Sequence, residues 1–310
     1  MVHEGIINGV INVNKPPGMT SHDVVNIIRR TYNIKRVGHT GTLDPGAAGV
    51  LIVCVGKATR ISRFIVENDK EYQAGITFGA ITDTGDRYGK LLREQDASFL
   101  TESDVKAALT FFTGEIMQAP PMVSAIKHQG RKLYELARAG VTVERKARAV
   151  TISSLLYLNG ANWGKSRPTA TLQITCSKGT YVRTLCEDLG NYLGCGAFMS
   201  SLLRTRVGSF NIADSFTLEE IKDKNISQVI IPTEEALSAI PAVVVKSGAV
   251  RAISSGAKLY MPGVSSMPAG LPEGTTVRLH GPEGLLAIAE TGFDEANSHR
   301  VVFKPICVLV

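Results

Sequence analysis

The sequence is poor in the features that mark several large classes of protein. Its five cysteines (Cys54, Cys176, Cys186, Cys195 and Cys307) are scattered over 310 residues and form no C-x-x-C pair. An odd, unpatterned set of this kind excludes a disulfide framework or a cysteine zinc site and reads as small core residues in a reducing compartment. The longest apolar run, Val50 to Val55, is far too short to cross a bilayer. The opening residues, MVHEGIINGVINVNKPPG, have no basic stretch followed by an apolar core, so no signal peptide is expected and a cytoplasmic location is. Internal repeats and low-complexity tracts are missing too. The six histidines lack ligand spacing, and neither H-E-x-x-H nor G-x-S-x-G occurs. TDTGDRYG (82–89) lacks the spacing and the terminal acid of a calcium loop, and GKAT (56–59) lacks the first glycine of a phosphate loop, position 51 being Leu. No metal and no cofactor is therefore expected.

What is present describes a folded, basic chain. A hydrophobic fraction of 44% with 20% charged residues is that of an ordinary globular protein. The length exceeds the ~150 residues typical of one domain, which predicts one large domain and a small one. Net charge is +6, and a positive excess points to a polyanionic partner, nucleic acid before membrane. Most of that excess is local. Between residues 124 and 148, Lys127, Arg131, Lys132, Arg138, Arg145, Lys146 and Arg148 stand against Glu135 and Glu144, seven minus two, or +5. Such a cluster can be a solvated helix face, but this one lies in a segment, 117–148, that interrupts two β-rich halves.

Periodicity supplies the elements. Residues 9–14 read as a strand stopped by Lys15-Pro16-Pro17-Gly18, and Ser21 as the cap of a helix striped by Val24, Ile27 and Ile28. A glycine-rich loop (37–49) leads into a buried strand (50–55) and a helix carrying Ile61, Phe64 and Ile65. Residues 70–79 alternate, with Tyr72, Ala74, Ile76 and Phe78 on one side. Ser103 is expected to cap a helix reaching Phe112. Strands are expected at 149–158, 169–176 and 202–210, with a helix from Thr180 to Leu193 between the last two. Two short acidic helices (217–223 and 233–239) precede a boundary at Ile240-Pro241, and the remaining 70 residues read as short β segments with turns, a small barrel-like module.

One stretch is more specific. GHTGTLDPGAAGVL (38–51) contains Asp44-Pro45-Gly46, which by itself is an ordinary turn. It resembles the catalytic loop of the TruB-type pseudouridine synthases, which modify position 55 of transfer RNA. The resemblance is collinear through NKPPGMTSHDVV (14–25), KEYQ (70–73), TDTGD (82–86), PPMVSAIKHQGRKLYELAR (120–138), CSKGTYVRTLCEDLG (176–190), LGCGA (193–197) and LLRTRVG (202–208). The tail, 242–264, is more loosely similar to a PUA domain, an RNA-binding module. The resemblance implies an α+β pseudouridine-synthase fold, with a mixed, mainly antiparallel sheet flanked by helices and a C-terminal PUA-like β-barrel. It also implies a catalytic domain over 1–240, with 117–148 as a basic thumb, and the barrel over 241–310.

For the site, the resemblance implies Asp44 as nucleophile, Arg183 as its cationic partner and Tyr72 as the residue stacked on the flipped base. Tyr181 and Leu202 match further substrate-contacting positions, His39 would brace the space the uridine vacates, and Asp86 is an acid near the cleft. Lys127, Arg131, Lys132 and Arg138 would contact phosphates of the T-arm stem-loop of transfer RNA. By pattern alone Tyr72 is one of four core-facing residues, and Arg183 a surface arginine on its helix. Asp44 could add to C6 of the base, attack C1′ of the ribose, or abstract the 2′ proton. The expected enzyme is a monomer that needs no protein partner and no membrane. A non-catalytic RNA-binding protein is the first rival, and an enzyme that depends on a guide RNA the second. The Asp44, Tyr72 and Arg183 set argues against the first and the basic thumb against the second.

Overall fold

Residues 7–124, 126–294 and 297–310 are described in a computed structural model; the expectation for the extreme N-terminus falls partly on residues 1–6, outside them. Among the described residues, strands build one ten-stranded sheet and a separate six-stranded one, besides two short hairpins. Across the large sheet the order is Ile230–Pro232, Gly9–Lys15, Ala48–Val55, Ala197–Val207, Lys70–Phe78, Thr169–Cys176, Arg148–Ala161 and Gly114–Gln118, with Val37–Thr40 and Phe210–Asn211 pairing off this path. Its pairings are antiparallel except that of Ala197–Val207 with Ala48–Val55, so the sheet is mixed and mainly antiparallel as expected.

The alternation predicted for 70–79 is observed: Tyr72, Ala74, Ile76 and Phe78 are buried, paired with the similarly alternating Thr169–Cys176. They join Val24, Val25 and Ile28 of helix Ser21–Thr31 and Leu185, Cys186 and Leu189 of helix Val182–Tyr192 in one core. A second cluster packs Val10, Ile52 and Ile61 against Ile288 and Leu309, which belong to the C-terminal portion. That portion folds Leu259–Tyr260, Asn297–Val308, Gly284–Asp294, Thr276–Gly281, Ala242–Val245 and Val264–Ser266 into a nearly closed barrel with its own core around Val243, Leu279 and Phe303. Arg278 fastens it to the body by donating to the carbonyls of Ile240, Glu234 and Ser238. No helix among the described residues is long and apolar enough to cross a membrane.

Several local expectations need correction. Thr20, not Ser21, caps the first helix: its hydroxyl accepts from the Asp23 amide and the Asp23 side chain accepts from the Thr20 amide, a reciprocal capping box. Thr101, not Ser103, caps helix Glu102–Leu109 in the same way through Asp104. Val37–Thr40, read as loop because of its glycine, is a strand paired with Ile52–Val55, so His39 lies on a strand. The strand expected at 202–210 begins earlier, at Ala197, because glycines at 194 and 196 end the preceding turn there.

Candidate active site

Asp44 occupies the turn joining strands Val37–Thr40 and Ala48–Val55, and the turn is fastened from several sides. The Ser21 hydroxyl, released from capping, donates to the Leu43 carbonyl at 3.1 Å and accepts from the Leu43 amide at 2.9 Å. The Lys15 ammonium, with 0% of the residue exposed, donates to the carbonyls of Pro16 (2.9 Å), Met19 (2.7 Å) and Pro45 (3.3 Å). Burial pushes its pKa down to about 8, with the Asp44 charge opposing. Arg204, equally buried, donates to the Val50 and Gly41 carbonyls at 2.7 and 2.9 Å, gripping the loop at both ends. Gly49 is required here: its φ is +102°, and a Cβ would lie 2.2 Å from the Arg204 carbonyl oxygen.

Arg183 departs from its periodicity reading as a surface residue. It is the second residue of helix Val182–Tyr192, its side chain only 5% exposed, and it turns inward. Its Nε lies 3.0 Å from Asp44 Oδ2 and its Nη2 3.4 Å from Asp44 Oδ1, a two-pronged grip. The remaining donors go to the Val123 carbonyl (2.7 Å) and the Thr84 carbonyl (3.0 Å), with Asp86 Oδ2 at 4.0 Å. The helix start that aims this side chain is clasped by Gln118, which donates to the Tyr181 carbonyl and accepts from the Tyr181 amide.

The Asp44 side chain remains 37% exposed, so the pair is covered on the protein side and open on the other. Burial raises the Asp44 pKa above the ordinary carboxylate value; Arg183 opposes the rise and Asp86 adds to it. A desolvated ion pair stabilises a fold no better than packed apolar residues would, so one held this firmly in a cleft marks a site of chemistry.

Two cavities meet at the pair and share Asp44, Val123, Arg183 and Leu202. The smaller, about 290 Å³, has Tyr72 and Tyr181 in its wall along with Arg204 and Lys70. The larger, about 390 Å³, has Asp86, Tyr88 and Met199. Tyr72 is buried near the start of its strand, opposite Arg204 in the neighbouring one. Burial raises its pKa, and the Arg204 guanidinium opposes the rise.

Of the residues singled out in sequence, Asp44, Tyr72, Asp86, Tyr181, Arg183 and Leu202 thus converge. His39 is not in either cavity wall; its Nδ1 is buried without a hydrogen-bond partner among the described residues, and burial lowers its pKa. Lys127, Arg131, Lys132 and Arg138 also stand apart, on a small hairpin (Lys127–His128 with Arg131–Lys132) and the helix Leu133–Arg138 that follows. Sequence reasoning missed Lys15, Ser21 as a loop fastener, Gln118 and Arg204. All but Gln118 lie inside stretches quoted above; Lys15 ends a strand that is otherwise almost wholly buried, whereas Arg204 lies in a strand of mixed burial that carries a second arginine, Arg206.

A half-buried carboxylate–guanidinium pair at a cleft across a mixed sheet, followed by a small barrel, is an arrangement whose structural neighbours are of the pseudouridine-synthase class of fold. The structure of a Cbf5–Nop10–Gar1 complex superposes with a TM-score of 0.76 at 29% identity, covering 97% of this chain and 85% of that one. An archaeal box H/ACA Nop10–Cbf5 complex gives 0.75 at 27% identity, covering 100% and 88%. Residues 29–182 match the TruB family pseudouridylate synthase N-terminal domain, 183–238 the tRNA pseudouridylate synthase B C-terminal domain, and 241–297 the PUA domain. The chain is 56% identical to the tRNA pseudouridine synthase B of Pelotomaculum thermopropionicum, over 98% of this chain and 97% of that one. With that of Moorella thermoacetica it shares 46%, over 98% and 100%. The chain belongs to the TruB family of pseudouridylate synthases.

Proposed function

We propose that this protein isomerises the uridine at position 55, in the T arm of transfer RNA, to pseudouridine, with Asp44 as the nucleophile. The observation that carries the reading is the Asp44–Arg183 pair placed between two cavities, one of them walled by Tyr72 and Tyr181. The reaction breaks the C1′–N1 bond, rotates the uracil and joins C5 to C1′. A carboxylate can form a covalent bond at C6 or C1′ and leave again, or remove the 2′ proton, and all three routes need it ionised at a fixed place. Arg183 supplies both conditions. The target base must leave the loop stack to reach this depth; Tyr72, with Leu202 and Tyr181, would receive it, and His39 would brace the vacated position from the flank.

Asp86 accepts hydrogen bonds from the Thr84 hydroxyl and the Tyr88 amide, a loop-bracing role beside its approach to Arg183. Lys127, Arg131, Lys132 and Arg138 would grip phosphates, which position RNA without reading its sequence, and the barrel would be a second grip on the same molecule. We divide the chain accordingly into a catalytic domain over 1–240, its thumb at 117–148, and an RNA-binding domain over 241–310. The enzyme would act as a cytoplasmic monomer, without cofactor, metal or protein partner.

The test is to incubate the protein alone with unmodified transfer RNA and map pseudouridine by chemical reactivity. Modification confined to position 55, in the absence of guide RNA or partner proteins, is the expected result. Modification that appears only when a guide RNA is added would overturn the stand-alone reading.

A further inference from the structure

The edge strand Gly114–Gln118 inverts the usual order of burial. Its Met117 is 65% exposed, whereas the polar Gln118 is 2% exposed and is the one buried residue of the strand. A buried amide needs hydrogen-bond partners, and this one finds both on the backbone of a single residue of another element. Its Nε2 donates to the Tyr181 carbonyl at 3.0 Å, and its Oε1 accepts from the Tyr181 amide at 2.7 Å. Tyr181 precedes helix Val182–Tyr192, and its own side chain makes no capping bond. The Tyr181 carbonyl also accepts from the Leu185 amide at 3.1 Å, so Gln118 holds the residue on which the helix starts. Arg183 follows two positions later. The chain leaving Gln118 runs through Pro120 and Pro121 to Val123, whose carbonyl accepts from Arg183 Nη2 at 2.7 Å. Pro120 is held in turn, its carbonyl accepting from Arg145 Nη1 at 3.0 Å. One short segment, 118–123, therefore grips the arginine twice, below its backbone through Gln118 and at its tip through Val123.

We propose that Gln118 is a positioning residue of the reaction, its side-chain amide fixing the start of helix Val182–Tyr192 so that Arg183 meets Asp44 through both Nε and Nη2. The inference rests on the proposed function of that pair. Gln118 is in neither cavity wall, so its effect has to pass through the helix start. The pair is sensitive to such an effect. Its Nη2 contact with Asp44 Oδ1 is 3.4 Å long, near the limit of a hydrogen bond, and an outward shift of roughly 0.5 Å would lose it. Burial raises the Asp44 pKa and Arg183 opposes the rise, so a slackened arginine leaves burial less opposed.

The test is Gln118→Met, which keeps the bulk of the side chain and removes both hydrogen bonds. Turnover at saturating transfer RNA should fall by about 10- to 100-fold, the scale of a reacting group misplaced by up to an ångström. The acid limb of kcat/KM should move to higher pH, because in the proposed reaction Asp44 acts ionised. The shift should be smaller than the roughly 1–3 units that follow from removing the opposite charge outright. Adding Gln118→Met to Arg183→Met should cost no more than about twofold beyond Arg183→Met alone, since no arginine is left to aim. A side chain that only supports the fold lowers Tm but leaves the acid limb where it was, and its penalty multiplies with that of Arg183→Met. An unmoved limb, a multiplied penalty, or a turnover within about twofold of wild type therefore overturns the inference. Should Gln118→Met fail to fold, Gln118→Asn, which keeps the amide but is one methylene too short for Tyr181, is judged by the same criteria. A wild-type enzyme that forms no pseudouridine at position 55 overturns the proposed function itself, and this inference with it.

Discussion

The Asp44 cleft and the segment 117–148 both concentrate charge, but they hold it in opposite ways. In the cleft each charge has a partner: Arg183 spends its donors on Asp44, Val123 and Thr84, and Lys15 spends its own on three carbonyls. In the segment, Lys127, Arg131 and Arg138 are exposed. Arg138 and Lys132 lie about the Tyr134 ring, at 5.5 and 5.4 Å from its centroid. Paired and buried charge fixes one geometry, as bond making requires. Exposed charge of one sign is suited to a polyanion whose shape, rather than any single contact, is recognised. The two regions also touch, since the Val123 carbonyl at the root of the segment is one of the acceptors that hold Arg183.

The sharpest way to break the comparison is Asp44→Asn, which keeps the shape of the cleft and removes the proposed nucleophile. Turnover should fall by about 10⁴- to 10⁶-fold, measured as pseudouridine formed in a single-turnover assay. Binding of transfer RNA should change by only a few-fold. A turnover within tenfold of wild type would take Asp44 out of the reaction.

That Asp44 stands out at all is a lesson about what a sequence displays. The alternation of Tyr72 to Phe78 and of Ala170 to Cys176 and the stripe of helix Val182–Tyr192 are period-two and period-3.6 signals, legible because burial follows them, whereas the strands Val37–Thr40 and Gly114–Gln118 carry no such signal. Arg183 was not legible from periodicity, since it sits within a buried stripe where a cation is expected to point outward; only the resemblance of KGTYVRT to the family's loop placed it against Asp44. Lys15 and Arg204 escaped for a related reason. Their role is to satisfy carbonyls of a loop distant in sequence, 30 residues away for Lys15 and Pro45 and 154 for Arg204 and Val50, and no local pattern records such a debt. The cap at Thr20 was misplaced because Thr and Ser are adjacent, and either can cap until tertiary contact with Leu43 claims one of them.

Removing the cation should be the next largest effect. Arg183→Met leaves Asp44 beside Asp86 with only the weaker influence of the Lys15 ammonium to hold it ionised, and burial already raises its pKa. In the proposed reaction ionised Asp44 is the active form, so activity should fall as pH drops through that pKa. Losing the arginine should therefore move the acid limb of kcat/KM to higher pH, by about 1–3 units, the usual effect of a close opposite charge. A pH–rate profile with an unmoved acid limb would show that Arg183 supports the helix rather than the carboxylate.

Tyr72→Phe tests the opposite wall of the smaller cavity. The ring remains, so RNA affinity should hold, while turnover should fall by about 10²- to 10⁴-fold if the hydroxyl takes the C5 proton, burial raising its pKa and Arg204 opposing the rise. We expect that loss, because the C5 proton has to leave inside the smaller cavity and Tyr72 is in its wall. A turnover within about tenfold would reduce Tyr72 to a stacking surface. Tyr72→Ala is the poorer probe, since deleting a buried aromatic ring costs roughly 3–5 kcal/mol of stability.

The smallest effect on chemistry should come from the other side of the comparison. Reversing Arg131, Lys132 and Arg138 to Glu removes exposed charge from 117–148 and leaves both cavity walls intact. Arg145 is not a suitable choice, because it donates to the Pro120 carbonyl and its loss would disturb the root of the segment. For loop-rich RNA each phosphate contact contributes roughly 0.7 to the log–log slope of affinity against salt, so three reversals should flatten it by about 2 units. Turnover at saturating RNA should change far less than affinity, because in the proposed complex these side chains would grip the stem and not the base. The control is an equal reversal at Lys165, Lys222 and Arg93, which lie outside both the segment and the cavity walls. The two triple variants carry the same net charge, so a general electrostatic repulsion predicts equal slopes for them, and a thumb predicts a loss confined to the first. Equal slopes would mean that the +5 between residues 124 and 148 is only a solvated surface, and that the grip on the RNA lies elsewhere.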